Sequence, residues 1–470
     1  MRVLLINPDQ RLALDSEAGD LPQTGSGPYP PLGLLYLQAS LEAGGHPTEL
    51  LDANAEGGLD PGLQTAARRG EPGLVGVGAL TPNLPGVLQA VGRAREAFPA
   101  AKVVVGGPHT DIFPAETAAL DGVDYVLTGE AEQTVVQLCE ALDGGDEEPG
   151  VRGLHTEARG PAEGLEHPEL VLDLDDLAVP DRGRLEVRHY RGVGGQDVLF
   201  ATVMTSRGCP YRCTFCSTPR GRYRSRSVES IVDEMERCAR LGVQHIYFVD
   251  DTFPVRGKRL GQLCEQIARR PHLPRWSCRT AAAGLTEESV TLMKRAGCER
   301  IQIGVETWSD EGLAVLGKST NIAQIRETFR ACRRAKVDSM AYFMLGIPTE
   351  RSPADVRRLM RFARRLAPTY AMFNVLTLYP NTKLLAEAER KGLVQPGVWD
   401  AYARQPDPGF VQPIWDEHMD RQQLAELQSE AYRSFYLRPS VVLRELRAGG
   451  VRRKAKAGLQ MVLGKLRGGS

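Results

Sequence analysis

Short apolar segments of strand length alternate with helical segments along most of this chain, and this alternation leaves few folds open to it. In the first part, strands are predicted at residues 3–6, 48–51, 74–80, 102–105 and 125–127, with helices at 33–43 and 84–98. Repeated strand–helix units build parallel sheets covered by helices on both faces. Residues 1–145 are therefore predicted to form a doubly wound α/β domain.

Glycine and short polar segments follow these strands, at what would be the carboxyl edge of the sheet. The residues concerned are Asn7, Pro8, Leu80, Thr81, Gly106, Gly107, Pro108, His109, Gly129 and Glu130. Glycine allows positive φ and a close approach of backbone to a bulky ligand, although a single glycine pair is usually only a turn. The loops converge on one edge, which is where doubly wound sheets bind their ligands.

A second series of strand–helix units begins near residue 198. Strands are predicted at 198–204, 246–249, 300–305, 340–345 and 372–376, with amphipathic helices between them. About six units can be counted, fewer than the eight of a closed barrel, so residues 196–383 are predicted to form a partial (β/α)6 barrel. Functional groups should lie at its carboxyl strand ends. Those positions carry Asp250, Asp251, Gly304, Glu306, Gly346, Ile347, Pro348 and Tyr379.

Three cysteines, Cys209, Cys213 and Cys216, come directly after the first strand of this series. A cubane iron–sulfur cluster normally takes four thiolates, so a loop that offers three leaves one iron open to a small molecule. A zinc site would need a second closely spaced pair, and the other cysteines stand alone in the sequence. Those six are predicted to be small buried apolar residues: Cys139, Cys238, Cys264, Cys278, Cys298 and Cys332.

Composition and charge narrow the class of protein that carries this loop and the compartment in which it works. The 470 residues carry a formal net charge of -1, which gives no overall attraction to nucleic acid or to an anionic membrane. No apolar run reaches the ~18 residues of a membrane span. An odd number of cysteines with an oxygen-labile cluster loop argues for a reducing compartment and against a disulfide framework. The sequence therefore predicts a cytoplasmic enzyme.

Three further segments complete the predicted organisation. Residues 146–195 form a linker along the domain seam, because their first part is rich in Gly, Glu, Asp and Pro. Residues 384–446 form a mostly helical extension that caps the barrel. The tail, residues 447–470, is basic and has interspersed apolar residues, so it is either solvated or able to lie weakly on an anionic membrane surface.

The spacing Cys-x3-Cys-x-aromatic-Cys, with Phe215 as the aromatic residue, resembles the radical S-adenosylmethionine (SAM) superfamily. The resemblance implies a 4Fe-4S cluster whose open iron binds SAM, and cleavage of SAM to a 5′-deoxyadenosyl radical. It further implies that Phe215 lies near the adenine, Asp250 and Asp251 near the amino end of SAM, and Glu306 near the ribose. The other SAM-binding elements implied are Gly304, Gly346, Ile347, Pro348 and Tyr379. From the residues alone, Asp251 could equally be a helix cap.

The run at 29–37, the Gly106–His109 loop and residues 129–132 resemble the cobalamin-binding domain that precedes many radical SAM domains. The resemblance implies that the strand-end loops of the first domain hold cobalamin. The Asp-x-His-x-x-Gly motif that supplies a histidine to cobalt is missing, so no ligand from that motif is expected. His109 is expected to hydrogen-bond locally or to line the pocket wall.

The cobalamin-binding group that the chain resembles includes the anaerobic magnesium-protoporphyrin ester cyclase and the class B methyltransferases. The favoured interpretation is methylation of an unactivated carbon of a small-molecule or lipid substrate from methylcobalamin. Alternatives are an oxidative cyclase or rearrangement enzyme, and a non-enzymatic cobalamin sensor or adaptor. A methylthiotransferase is disfavoured because the first domain has only Cys139 for a second cluster. The implied partners are the substrate and a reducing donor such as flavodoxin or ferredoxin, without nucleic acid.

Overall fold

The structure is a computed structural model that describes residues 1–14, 29–146, 149–158, 170–185, 189–190, 198–218, 222–255, 257–439 and 441. The basic tail, the end of the predicted C-terminal extension and much of the predicted linker lie outside these ranges. Among the described helices, none is both long enough and apolar enough to cross a membrane. All nine cysteines are free, as expected from the sequence.

The N-terminal domain is the predicted doubly wound sheet. Its strands are β1 (Val3–Asn7), β2 (Thr48–Asp52), β3 (Leu74–Gly78), β4 (Lys102–Gly106), β5 (Tyr125–Leu127) and β6 (Leu154–His155). They lie in the order β2-β1-β3-β4-β5-β6, parallel except for β6, which the sequence analysis did not predict. The helices are α1 (Leu32–Ala43), α2 (Leu59–Ala67), α3 (Leu84–Ala97), α4 (Pro114–Ala118) and α5 (Thr134–Asp143). The strand order reverses between β1 and β3, where such sheets bind ligands.

The second half of the chain forms six parallel strands in sequential order, as expected for a partial barrel. They are β7 (Phe200–Val203), β10 (His245–Phe248), β11 (Arg275–Ala281), β12 (Cys298–Glu306), β13 (Asp338–Leu345) and β14 (Tyr370–Val375). A two-stranded hairpin of β8 (Ser206–Arg207) and β9 (Arg224–Ser225) follows β7. The helices of this half and of the C-terminal extension are α6 (Val228–Arg240), α7 (Lys258–Ala268), α8 (Glu287–Arg295), α9 (Asp310–Val315), α10 (Ile322–Arg334), α11 (Pro353–Leu366), α12 (Lys383–Arg390), α13 (Val398–Arg404) and α14 (Arg421–Tyr436).

The strands of the barrel alternate between a fully buried outer face and a more open inner face. Along β13 and β14, every second residue is buried, because it packs against the surrounding helices. Successive strand residues point to opposite faces of a sheet, so the intervening side chains line the interior of the barrel. We call this space, enclosed by the inner faces of β7 and β10–β14, the lumen.

Helix α14 covers the open edge of β14, rather than the barrel mouth as the sequence analysis expected of the extension. Three side chains from successive turns bond to the backbone of that edge. The Tyr436 hydroxyl accepts from the Ala371 amide at 3.0 Å, and the Tyr432 hydroxyl from the Phe373 amide at 3.2 Å. The Gln428 amide donates to the Phe373 carbonyl at 2.8 Å. An unpaired strand edge exposes such groups, and here a helix satisfies them.

The carboxyl ends of the two sheets meet. The loop after β3 shares a hydrophobic core with the loops after β13 and β14 and with helix α13, so we call this cluster the shared core. Its members include Ala79, Leu84, Leu316, Ile347, Leu376, Leu378, Trp399, Tyr402 and Trp415. The C-terminal extension thus packs against the N-terminal domain as well as against the barrel, which fixes how the two strand-end surfaces face each other.

Candidate active site

The three cysteines lie on the loop enclosed by the β8–β9 hairpin, at the carboxyl end of β7. All three are half-buried and free. Gly208, just before Cys209, has φ 82°, which permits the sharp exit from β8. The loop is anchored at its middle, because the Thr214 amide donates to the Leu316 carbonyl at 3.0 Å and the Leu384 amide donates to the Thr214 carbonyl at 3.1 Å. The six remaining cysteines are buried, as predicted.

Glu306 and Lys318 form an ion pair beside this loop. Lys318 Nζ lies 2.9 Å from Glu306 Oε1, and both side chains are largely buried. Glu306 has φ 65°, a left-handed conformation that costs energy in a residue other than glycine and is typical of functional sites. Burial by itself lowers the pKa of Lys318, but Glu306 and the thiols of Cys213 and Cys209 outweigh it and raise the pKa. Lys318 therefore places a lasting positive charge next to the cysteine loop.

Gly304 makes room for this pair. A Cβ atom built on Gly304 would overlap the Glu306 carboxylate and would lie 3.0 Å from Lys318 Nζ. The strand is also irregular here, because the pairing of β12 with β13 shifts register between Gly304 and Glu306. Glu306, the residue predicted to lie near the ribose, thus sits at a distorted strand end, and its carboxylate is already paired with Lys318.

The two consecutive aspartates after β10 differ in their surroundings. Asp250 is buried, and its Oδ1 accepts from the Thr205 amide at 2.9 Å, the Thr205 hydroxyl at 2.8 Å and the Ser206 hydroxyl at 2.7 Å. Burial raises the pKa of Asp250 to about 6 despite these bonds. Asp251 is exposed and accepts from the Gly208 backbone beside Cys209. Asp250 therefore holds the hairpin, whereas Asp251 is the aspartate available to a ligand.

Glu350 is a buried carboxylate that the sequence analysis did not single out. Its Oε2 accepts from the Gly346 amide at 2.8 Å, and its Oε1 is buried without a hydrogen-bond partner among the described residues. Gly346 has φ 75°, which fixes the turn after β13. Glu350 thus supports the Gly346–Pro348 turn from behind and keeps one unused polar atom at a candidate SAM-binding element.

The pH dependence of stability should report on Glu350. Burial raises its pKa to about 8, above the value of 4.5 typical of a free glutamate, so the folded chain retains a proton that the unfolded chain releases. This contribution to stability is complete below the unfolded pKa and is lost as the pH rises towards 8. A glutamine at this position cannot ionise. The free energy of unfolding of Glu350→Gln should therefore lack this pH-dependent change, which is of the order of a few kcal/mol.

Thermal unfolding of the wild type and of Glu350→Gln, followed in steps from about pH 5 to pH 8, measures this difference. The wild type should lose stability relative to the variant as the pH rises. Glu311→Gln is the control, because Glu311 is exposed on α9. Parallel pH profiles for the wild type and Glu350→Gln would contradict the assignment.

The predicted adenine contacts pack around the shared core. Ile347 is fully buried in it, and Phe215 and Tyr379 are half-buried at its surface. The ring of Tyr379 stacks on Trp399 with 6.3 Å between centroids, and Pro348 remains half-exposed. Phe215, Ile347 and Tyr379 are therefore brought together by the hydrophobic contact between the domains, on one side of the cysteine loop.

The arginines around the cysteine loop are mostly occupied by carboxylates of the fold. Arg224 pairs with Glu130, and Arg207 pairs with Glu132. Burial by itself raises the pKa of Glu130, but Arg224 and Arg207 outweigh it and hold the pKa below its usual value. These pairs join the hairpin to the loop after β5. Glu130 is one of the residues predicted to contact cobalamin. Its side chain is instead paired with Arg224, across the contact between the two domains.

The other predicted cobalamin residues line the carboxyl edge of the N-terminal sheet. The Asn7 amide donates to the Asp52 carboxylate at 2.8 Å, which turns Asn7 towards β2. Gly107 has φ 123°, and a Cβ there would lie 2.7 Å from the Ala79 carbonyl, so the two loops need glycine to approach. Leu80 is exposed at this edge. Pro8 and Thr81 are buried, and Gly106, Pro108 and Gly129 are at least partly accessible.

His109 is part of the wall of this edge. It is completely buried, its Nδ1 lies 3.1 Å from the Thr81 hydroxyl, and its Nε2 has no hydrogen-bond partner among the described residues. Burial lowers the pKa of His109 to about 4, so the ring is neutral at physiological pH. The local hydrogen bond is the one expected from the sequence.

The residues present fit the groups that the sequence implies. Three free thiols on one anchored loop suit a cluster with an open iron. Lys318 and the exposed Asp251 would offer polar partners for SAM around that loop. A sheet edge with small residues and an exposed Leu80, at the point where the strand order reverses, suits a large flat cofactor.

Comparisons with known proteins agree with this geometry. The B12 binding domain family matches residues 23–139, and the radical SAM superfamily matches residues 203–363. The chain is 29% identical to an uncharacterized methyltransferase of Pyrococcus horikoshii over 95% of each chain. It is 26% identical to the anaerobic magnesium-protoporphyrin IX monomethyl ester cyclase of Cereibacter sphaeroides, over 97% of this chain and 73% of the relative.

The fold is similar to that of the radical SAM methyltransferase TsrM from Kitasatospora setae, solved with cobalamin and a [4Fe-4S] cluster. The TM-score is 0.67 at 24% identity, and the match covers 84% of this chain and 79% of that one. The B12-binding match lies within the N-terminal domain, and the radical SAM match lies within the barrel half of the chain. The chain therefore carries a B12-binding domain followed by a radical SAM domain.

Proposed function

We propose that this radical SAM enzyme transfers a methyl group from methylcobalamin to an unactivated carbon of a small-molecule or lipid substrate. One observation carries the proposal: the carboxyl ends of the two sheets meet across the shared core and across the ion pairs of Glu130 and Glu132. A methyl donor held by one sheet and a radical source held by the other would then act on the same substrate atom. The P. horikoshii relative, whose name makes it a methyltransferase, supports the same reaction class.

When bound, the cluster and SAM supply a carbon-centred radical, and cobalamin supplies the methyl group. In this proposal Cys209, Cys213 and Cys216 hold the cluster, and Lys318 with Asp251 orients SAM. Asp250 holds the hairpin to the barrel, and the Arg207–Glu132 pair holds the hairpin, and therefore the cysteine loop, against the N-terminal domain. The shared core excludes water from one side of the site, which protects a radical from side reactions.

The anaerobic cyclase relative covers nearly the whole chain, and this favours a second candidate, oxidative cyclisation or rearrangement without methyl transfer. The two candidates differ in product mass. Methylation with SAM labelled on its methyl carbon adds the labelled methyl group to the product, whereas cyclisation leaves the product unlabelled and the label in the methionine released from SAM. The substrate and the reducing donor, such as flavodoxin or ferredoxin, belong to the proposal in both cases.

Reconstitution tests the proposal before the substrate is known. The protein is purified anaerobically, supplied with iron, sulfide and hydroxocobalamin, and its absorption spectrum is compared with that of Cys213→Ala. We expect a cobalamin band in both proteins and a cluster shoulder only in the wild type, because the loop has no spare thiol. Cys139→Ala, which changes a buried cysteine of α5, is the control and should keep both bands.

A cluster without bound cobalamin would overturn methyl transfer and favour the cyclase or rearrangement class. A cobalamin band without any cluster in the wild type would contradict the enzymatic interpretation. It would favour the alternative of a non-enzymatic cobalamin sensor or adaptor. Retention of the cluster shoulder in Cys213→Ala would show that this loop does not hold the cluster.

A further inference from the structure

Arg279 extends into the lumen from β11, next to the middle of the barrel wall. Its neighbours on β11, Cys278 and Thr280, are buried on the outer face, whereas Arg279 itself is exposed. Its guanidinium lies 5.6 Å from the centre of the Tyr342 ring, which belongs to β13, two strands away. A contact that spans the intervening strand is possible only on the inner face, so Arg279 is exposed to the lumen rather than to the outer surface.

The neighbours of Arg279 in the lumen are polar but uncharged. Gln302 of β12 is its partner in strand register. The hydroxyls of Tyr247 and Tyr342 both donate to Gln302 Oε1, at 3.1 Å and 2.6 Å. Because both phenol protons are used in this way, the two rings leave only oxygen lone pairs for the guanidinium. The amide nitrogen of Gln302 has no hydrogen-bond partner within the described part of the chain.

No described carboxylate forms an ion pair with Arg279. Asp251 interacts with Arg279 electrostatically but lies beyond ion-pair distance, and Glu306 is already paired with Lys318. A second cation, Arg300 of β12, also faces inwards, with its guanidinium 4.6 Å from the centre of the Tyr370 ring and its Nε buried without a partner. A fold that buries a guanidinium nitrogen, as here in Arg300, normally pairs it with an acid. Among the described residues, neither Arg279 nor Arg300 forms an ion pair.

We propose that the substrate carries an acid group, a carboxylate or a phosphate, and that Arg279 binds it inside the barrel with help from the Gln302 amide. This inference deepens the proposed function and rests on it. A guanidinium offers a rigid fork of donors that matches both kinds of oxyanion, and Gln302 adds two amide protons beside it. The acid group then points the opposite end of the substrate towards the cysteine loop and the N-terminal sheet.

Matched aromatic probes test this without knowledge of the substrate. The probes are 1-naphthylacetate, 1-naphthyl phosphate and the neutral 1-naphthylacetamide, titrated calorimetrically into anaerobically reconstituted enzyme that contains SAM. One of the two anions should bind at least about ten-fold more tightly than the amide, because it alone forms a charge-assisted bond. Whichever anion binds better identifies the acid group as a carboxylate or a phosphate.

Two variants locate the effect. Arg279→Gln should weaken binding of the preferred anion by about ten-fold or more and leave the amide nearly unchanged. Arg237→Gln, at an exposed position on α6, is the matched control and should keep the preference. The affinity for SAM, measured by a separate titration of SAM into the reconstituted enzyme, should be the same in Arg279→Gln and in the wild type.

Three results would overturn the inference. Equal binding of all three probes would mean that the lumen does not select anions. An anion preference that survives Arg279→Gln would place the acid group elsewhere. A loss of SAM affinity in Arg279→Gln as large as the loss of anion affinity would assign this guanidinium to the carboxylate of SAM. The proposed function fails separately, through the absence of a cobalamin band, which these titrations do not measure.

Discussion

Glu234→Ala should destabilise the protein by about 3–5 kcal/mol, because it leaves two buried arginines without their common partner. Glu234 of α6 is completely buried. Its Oε1 lies 2.6 Å from the guanidinium of Arg182, and its Oε2 pairs with Arg226. Arg182 belongs to the segment between the domains, and Arg226 follows the β8–β9 hairpin. One carboxylate thus joins three parts of the chain behind the cysteine loop.

The unfolding free energy in urea, followed by tryptophan fluorescence, measures the loss. Asp233→Ala is the matched control, because Asp233 is the exposed neighbour on the same helix and its removal should cost well below 1 kcal/mol. Glu234→Gln keeps the shape of the side chain and should lose less than Glu234→Ala. If Glu234→Ala unfolds at the same urea concentration as Asp233→Ala, the buried triad does not hold these segments together.

Lys318→Gln should raise the Kd for SAM by about ten- to a hundred-fold, the range expected when a hydrogen bond to a charged group is lost. The ammonium group lies 2.9 Å from the Glu306 carboxylate and next to the thiols of Cys209 and Cys213. Its removal leaves Glu306 as a buried, unpaired anion beside the site that we propose for SAM, whose carboxylate is also an anion. Like charges at close range then oppose binding.

The double variant Glu306→Gln with Lys318→Gln separates the two parts of this effect. It removes the unpaired anion, so folding and cluster content should recover while the affinity for SAM stays low. Lys294→Gln, at an exposed position on α8, is the control. Equilibrium dialysis with reconstituted enzyme gives the Kd, and the absorption spectrum gives the cluster content. Wild-type affinity for SAM in Lys318→Gln would exclude a role for this lysine in binding SAM.

Much of the fold could be predicted because its strands are apolar and its breaks are marked by glycine and proline. The prediction for residues 125–127 coincides with β5, and the predictions for β1, β2 and β4 differ from the structure by one residue at one end. Strand β11 was not identified. Polar residues, Arg275, Ser277, Arg279 and Thr280, make up more than half of this seven-residue strand, so the segment is not an apolar run of the kind that predicts a buried strand.

The candidate site could be predicted only where residue type and spacing carry the information. The cysteine triplet and the strand-end aspartates are visible in this way. The different roles of Asp250 and Asp251 depend on which of them turns towards Thr205, and this is decided by packing. Lys318 lies in a turn after a short helix, and Glu350 follows a turn. Neither has a sequence signal, because their partners are distant along the chain or are backbone atoms.

The shared core also determines when the N-terminal domain can become complete. Ala79 and Leu84 share this core with Leu376, Trp399 and Trp415, which lie about three hundred residues later in the chain. During synthesis the first domain emerges early, with the apolar surface of its carboxyl edge still uncovered. That surface finds its native cover only when residues 376–415 have left the ribosome, so the first domain is completed by a segment that is synthesised much later.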